Sequence, residues 1–130
     1  YTDLDYHFPG KVTGIEFNTS VVKRHQDENR RVAFADVMDK DFWGKIDLSG
    51  ISNVFLNLPD FEKNLFTIRQ LREKNFKGNI AAIAMYNDEI ETLKKAGADA
   101  VYNFYSEAGI GFAEHARQNN LIPEKSRMED

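Results

Sequence analysis

Five short runs of apolar, β-branched and aromatic residues recur along this chain, each followed by a stretch with helical spacing. That alternation limits the fold more than any other feature. The runs are residues 12–17 (Val-Thr-Gly-Ile-Glu-Phe), 32–35 (Val-Ala-Phe-Ala), 53–58 (Asn-Val-Phe-Leu-Asn-Leu), 80–85 (Ile-Ala-Ala-Ile-Ala-Met) and 100–104. Between the first two, Ser20 can cap a helix that carries Val21, Val22 and His25 and ends near Asn29. Asp39 can cap a short helix over residues 40–46. Pro59-Asp60 opens a helix whose Phe61, Leu65, Ile68 and Leu71 form an apolar stripe, and Lys77-Gly78 is its stop signal. Asn87 can cap a helix that ends at Gly97, and Ser106 a last one bearing Ala108, Phe112 and Ala116. Strands separated by helices, several apolar at almost every position, predict a parallel sheet covered on both faces. The fold class is therefore a doubly wound α/β sheet. Short loops, no repeat period and no linker predict one domain over residues 1–118, followed by a polar tail over 119–130 that holds Pro123.

Composition removes several functional classes. The chain has 130 residues, 42% of them hydrophobic, which suffices for one domain with a sizeable core. It has no cysteine, so disulfides, thiol nucleophiles and Cys-ligated zinc are excluded, and a reducing compartment fits. A net charge of -4, spread along the chain, argues against a nucleic-acid groove or a polybasic membrane patch. No apolar run approaches the ~20 residues of a membrane helix and no signal peptide opens the chain, so a soluble chain is expected.

In open parallel sheets, ligands bind beyond the carboxyl ends of the strands. The first strand ends at Glu16, with Asn18 two residues on. A carboxylate there can accept two ribose hydroxyl protons, or it can be a solvated acid assisting the helix that follows. The second strand leads into Asp36 and Val37. Asp36 can accept the exocyclic amine of an adenine, or it can be a turn residue bonding nearby backbone amides. Asn57, Leu58 and Pro59 end the third strand, where an apolar rim can flank a nucleobase, or Pro59 can simply start the helix. His7, His25 and His115 show no ligand spacing, so no metal is expected. No Gly-x-Ser-x-Gly elbow or other catalytic constellation is present. The carboxylate pairs Asp3/Asp5 and Asp39/Asp41 fit turns. A phosphate-cradling glycine loop is also missing: the one Gly-x-Gly, Gly109-Ile110-Gly111, lies beyond the last strand and the Ser106 cap, where close helix packing or a flexible first turn explains it.

Several of these segments, in collinear order over residues 11–118, resemble a known family. They are Val-Thr-Gly-Ile-Glu-Phe-Asn (12–18), Arg-Arg-Val-Ala-Phe-Ala-Asp-Val-Met-Asp-Lys-Asp-Phe-Trp (30–43), Asn-Ile-Ala-Ala-Ile-Ala-Met-Tyr (79–86), Ala-Gly-Ala-Asp-Ala-Val-Tyr-Asn (96–103) and Ser-Glu-Ala-Gly (106–109). The set resembles the RCK, or TrkA N-terminal, nucleotide-binding domain of potassium-transport regulators, closest to the cytoplasmic domain of Kef-type potassium/proton antiporters. The resemblance implies a Rossmann-like domain that binds NAD(H) or AMP and regulates ion flux without catalysis. By resemblance Glu16 is the ribose acid and Asp36 the adenine-side acid, while Leu58 and Pro59 lie beside the nucleotide. It further implies a homodimer acting on a membrane potassium-transporter core, at the inner face of the plasma membrane. Two features depart from the family. Its first strand and Gly-rich turn would precede Val12, where this chain has Tyr-Thr-Asp-Leu-Asp-Tyr-His-Phe-Pro-Gly, which fits the end of a first helix and a loop. The domain is therefore expected to be N-terminally incomplete. Ala35 also stands where glycine commonly precedes the acid.

The leading expectation is a ligand-sensing regulatory domain of a potassium efflux or antiport system, and not an enzyme. The alternatives are a fragment of a Rossmann-type oxidoreductase and a nucleotide-free dimerisation module.

Overall fold

The computed structural model describes residues 13–16, 19–58 and 60–120. They fall into two units, dividing after Leu48.

The first unit is a small strand–helix–strand crossover followed by a second helix. Strand β1 (Gly14–Glu16), helix α1 (Thr19–Asp27), strand β2 (Val32–Phe34) and helix α2 (Lys40–Lys45) follow in order. The strands pair in parallel, with Gly14 beside Val32 and Glu16 beside Phe34. A parallel pair needs a crossover, which α1 supplies by packing on both strands with Val22 buried. Within the expected first strand, Val12 and Phe17 lie outside the described residues. Thr19 already belongs to α1, so Ser20 sits inside the first turn instead of capping it. The helix stops where expected, at Asn29, whose φ of 62° suits a short polar side chain in the left-handed region. Asp39 caps α2 as expected, its Oδ1 accepting the Asp41 N–H at 2.9 Å. Trp43 of α2 is buried and donates its indole N–H to the Val37 carbonyl at 2.6 Å.

The second unit holds β3 (Asn53–Leu56), α3 (Phe61–Glu73), β4 (Asn79–Ala84), α4 (Asn87–Ala96), β5 (Ala100–Asn103) and α5 (Phe104–Gln118). Its sheet runs in the order β3-β4-β5 with every pair parallel. One face is buried: Leu56, Ile80, Ala82, Ala84 and Val101 pack with Leu65, Ile68 and Leu71 of α3 and Leu93 of α4. Burying a side chain the size of Ile68, at 0% exposure, contributes about 1.5–3 kcal/mol, so this layer dominates the unit's stability. The alternate positions Phe55 (57% exposed) and Tyr102 (49%) lie on the other face of the sheet.

Several punctuation signals act differently from the expectation. The third strand closes at Leu56, which places Asn57 and Leu58 in the turn beyond it. Helix α3 is stopped by Asn75, at φ 63°, before Lys77-Gly78 is reached. Gly78 instead permits a close approach, since a Cβ there would collide with the Ser52 carbonyl and the Phe76 ring. Tyr86, not Asn87, is the N-cap of α4, and Glu89 reaches back to accept its backbone N–H at 3.2 Å. Gly97 ends α4 at φ 129°, as expected of a helix-terminating glycine. Asn103, not Ser106, caps α5, its Oδ1 accepting the Ser106 N–H at 3.0 Å. Strand β5 therefore passes into α5 without a loop.

The Gly109-Ile110-Gly111 run lies within α5, and a Cβ at either glycine would meet nothing within 4 Å. Neither close packing nor a first-turn position accounts for these glycines. Of the expected tail over 119–130, residues 121–130 lie outside the described residues.

Candidate functional site

The expected site residues fall at the carboxyl ends of strands in both units. In the first, Glu16 is the last residue of β1 and pairs in register with Phe34, so the ends of β1 and β2 lie side by side. Asp36 follows two residues after β2 and is exposed. Its Oδ1 accepts the Met38 N–H at 2.9 Å and its carbonyl accepts the Asp39 N–H at 3.0 Å, which is the turn role weighed from sequence. Among the described residues, Oδ2 takes no hydrogen bond and keeps acceptor capacity. Val37 is half-buried, and the indole of Trp43 fixes its carbonyl. Asn18 and Pro59 lie outside the described residues.

The second unit carries a cavity of about 190 Å³ at the carboxyl ends of β3 and β4. Its walls are Asn57 and Leu58 after β3, Phe61 and Asn64 of α3, Ile83 and Met85 at the end of β4, Glu89 of α4 and Phe104 of α5. Of the expected residues, Leu58 belongs to this cavity. The lining is mostly apolar, with two aromatic rings, as suits a flat ligand group. Two of its polar members, Asn64 and Glu89, are held by backbone. Glu89 Oε1 accepts the N–H groups of Met85 and Tyr86 at 3.1 and 3.2 Å. Asp60 caps α3 beneath the turn, accepting the Glu62 N–H at 2.8 Å.

Asn64 is the residue the sequence reading missed. It is 1% exposed and donates its Nδ2 hydrogens to the carbonyls of Leu58 (2.9 Å) and Ile83 (3.3 Å), tying the β3 turn to the end of β4. A signal for it exists: it stands three residues after Phe61 and four before Ile68, a polar residue on an otherwise apolar helical face.

Comparison with known proteins agrees with this architecture. The model of the TrkA-N domain matches residues 4–104. No curated protein matches the chain. Among solved structures, the NAD(P)-binding domain of an exopolyphosphatase-related protein from Archaeoglobus fulgidus is similar at a TM-score of 0.76 and 22% identity, covering 90% of this chain and 86% of that one. The TrkA-N domain of the inner membrane protein ybaL from Escherichia coli is similar at 0.72 and 18%, covering 87% and 84%. The RCK domain of GsuK gives 0.66 and 22%, covering 92% of this chain and 26% of that one. These likenesses establish the Rossmann-like fold. With the family match spanning well over half of its residues, this chain belongs to the TrkA-N domain family.

Proposed function

We propose that this chain is the ligand-sensing regulatory domain of a potassium efflux or antiport system, and that it binds an adenine nucleotide, AMP or NAD(H), at the carboxyl ends of its strands. The observation that carries this reading is the placement of Glu16 and Asp36 at the neighbouring ends of β1 and β2, in a chain of the TrkA-N family. Glu16 then takes the ribose hydroxyls, Asp36 Oδ2 the adenine amine, Asn18 and Val37 flank them, and Leu58 and Pro59 border the nucleotide. GsuK structures bound to NAD and to ADP support an adenine nucleotide as the ligand class. The one titratable residue of the cavity wall, Glu89, has Oε1 committed to backbone N–H groups, which favours binding over catalysis.

The domain acts from the cytoplasmic side on a membrane transporter core. Among the described residues no helix is long and apolar enough to cross a membrane, and the ybaL domain belongs to an inner membrane protein. It works as a homodimer, with Tyr105 and Phe112, exposed and seven residues apart on one face of α5, meeting a second copy.

A thermal-shift panel with AMP, ATP, NAD and NADH tests the reading. A ligand at ~100 times its dissociation constant adds ~2.7 kcal/mol, several degrees for a domain of this size. The expected result is a selective shift that Glu16→Ala combined with Asp36→Ala removes. No shift with any of the four would sink the nucleotide reading and leave the dimerisation module.

A further inference from the structure

Glu89 brings the one charged side chain to the walls of the cavity at the ends of β3 and β4. Its Oε1 is occupied by the Met85 and Tyr86 N–H groups, while Oε2 takes no hydrogen bond among the described residues and is open to solvent. The remaining walls include the rings of Phe61 and Phe104 and the apolar side chains of Leu58, Ile83 and Met85. No Lys, Arg or His is among the wall residues. Nor do the three helices that begin here offer an anion site, because each start is capped already. Asp60 accepts the Glu62 N–H at α3, Glu89 the Tyr86 N–H at α4 and Asn103 the Ser106 N–H at α5. A phosphate or carboxylate would therefore meet a carboxylate and apolar surface. A primary ammonium or a hydrated metal ion fits no better, since either needs more acceptors than one carboxylate oxygen and the Asn57 amide supply. What remains is a positive charge with no N–H to satisfy, which aromatic faces and a carboxylate attract without further hydrogen bonds.

We propose that this cavity binds a quaternary organic cation and that Glu89 is the residue that selects for its charge. Phe61 and Phe104 supply the aromatic faces, and Leu58, Ile83 and Met85 cover the apolar body. Selection falls to Glu89 because apolar walls alone hold a neutral molecule of the same shape equally well. A quaternary nitrogen occurs in trimethylammonium compounds and in the oxidised nicotinamide ring of NAD, and the chemistry that recognises the two is the same. The inference goes beyond the adenine-nucleotide reading and does not use Glu16 or Asp36; the two share Leu58.

The experiment is a proton NMR titration of the full chain with two pairs that differ in this charge. Choline is set against its neutral carbon isostere, dimethylbutanol, and NAD against NADH. The expected result is a roughly tenfold preference for the charged member of at least one pair. Preference within the first pair assigns a trimethylammonium ligand, and preference within the second alone assigns the pyridinium ring. Glu89→Gln removes the charge and keeps an acceptor for the helix cap, so it folds and brings the preferred pair to within twofold. Phe104→Leu, at a partly exposed wall position, keeps the wall apolar without its aromatic face and lowers the preference as a second variant. Equal affinity within both pairs overturns the inference, and binding of both dinucleotides would then leave the nucleotide reading standing. A preference unchanged in folded Glu89→Gln, or in Phe104→Leu, also overturns it. Preference for choline with no binding of either dinucleotide supports it and removes the nucleotide reading alone.

Discussion

Arg72 shows how much one side chain can organise away from the ligand site. Its Nε and Nη2 donate to the Gly97 carbonyl at 3.0 and 2.8 Å, and its Nη1 to the carbonyls of Phe76 and Gly78 at 2.8 and 3.1 Å. The end of α3, the start of β4 and the end of α4 thus share one cation. Asp99 joins through Nη2 at 2.9 Å and also accepts the Ile80 N–H at 2.8 Å. The Asp99 carboxylate is half exposed, so its ion pair contributes little beside the bonds to backbone carbonyls. Gly97 completes the arrangement, since a Cβ there would lie 2.7 Å from Arg72 Cγ in a backbone conformation that already disfavours side chains. Arg72→Ala is expected to lower stability by about 2–3 kcal/mol, seen as a Tm lower by roughly 10 °C. Arg72→Lys recovers little of this, because one ammonium cannot reproduce the planar fork across three carbonyls. A Tm within two degrees of wild type for Arg72→Ala would refute the clamp. Nothing in the local sequence distinguishes Arg72 from Arg69, one turn earlier and exposed. The distinction exists only once α3 lies beside Gly97.

At the scale of elements, periodicity and capping carried most of the information. The stripe of α3 is legible because Leu65, Ile68 and Leu71 must share a face at 3.6 residues per turn, and all three are buried. Asp60 and Asp39 are legible as caps because a short carboxylate before an apolar-periodic run satisfies free N–H groups at the helix start. Asp60→Ala is expected to cost about 1 kcal/mol and lower the Tm by a few degrees. Asp60→Asn or Asp60→Ser should restore most of it, and equal losses for all three substitutions would contradict a capping role. Ser20, Asn87 and Ser106 were misplaced by only a few residues. For the last two, a polar neighbour or a reaching side chain performs the capping in three dimensions: Glu89 for α4, and Asn103 for α5. The Gly109-Ile110-Gly111 run held no local clue that it would sit inside a regular helix in open surroundings.

At the scale of the whole molecule, α5 is the outstanding element. It is fifteen residues long, yet Ala116 is its one buried residue, and Phe112 stands 78% exposed. Exposed apolar side chains of this size on a single helix mark an association surface more often than a solvated one. If the proposed dimer uses this face, sedimentation velocity will show a dimer for the wild-type chain and a monomer for Phe112→Asp. The variant's helical content should stay unchanged, since Phe112 supports no core contact. A monomeric wild type at tens of micromolar would overturn the proposed dimer. The family match stops at residue 104, where α5 begins, so this surface is read from the structure and owes nothing to the matched segment.

By itself the sequence determined the alternation of strands and helices, the parallel sense of their pairing and the strand ends that carry Glu16, Asp36 and Leu58. These follow from local periodicity and from the geometric need of a parallel pair for a crossover. Tertiary structure alone decided which polar residues are buried and what they hold. Asn64 and Arg72 are ordinary helix residues until β4 and α4 bring the carbonyls of Ile83 and Gly97 within hydrogen-bond distance. A hydrogen bond spanning nineteen or twenty-five residues of chain leaves no periodic trace, because its partners meet only after the layers have packed.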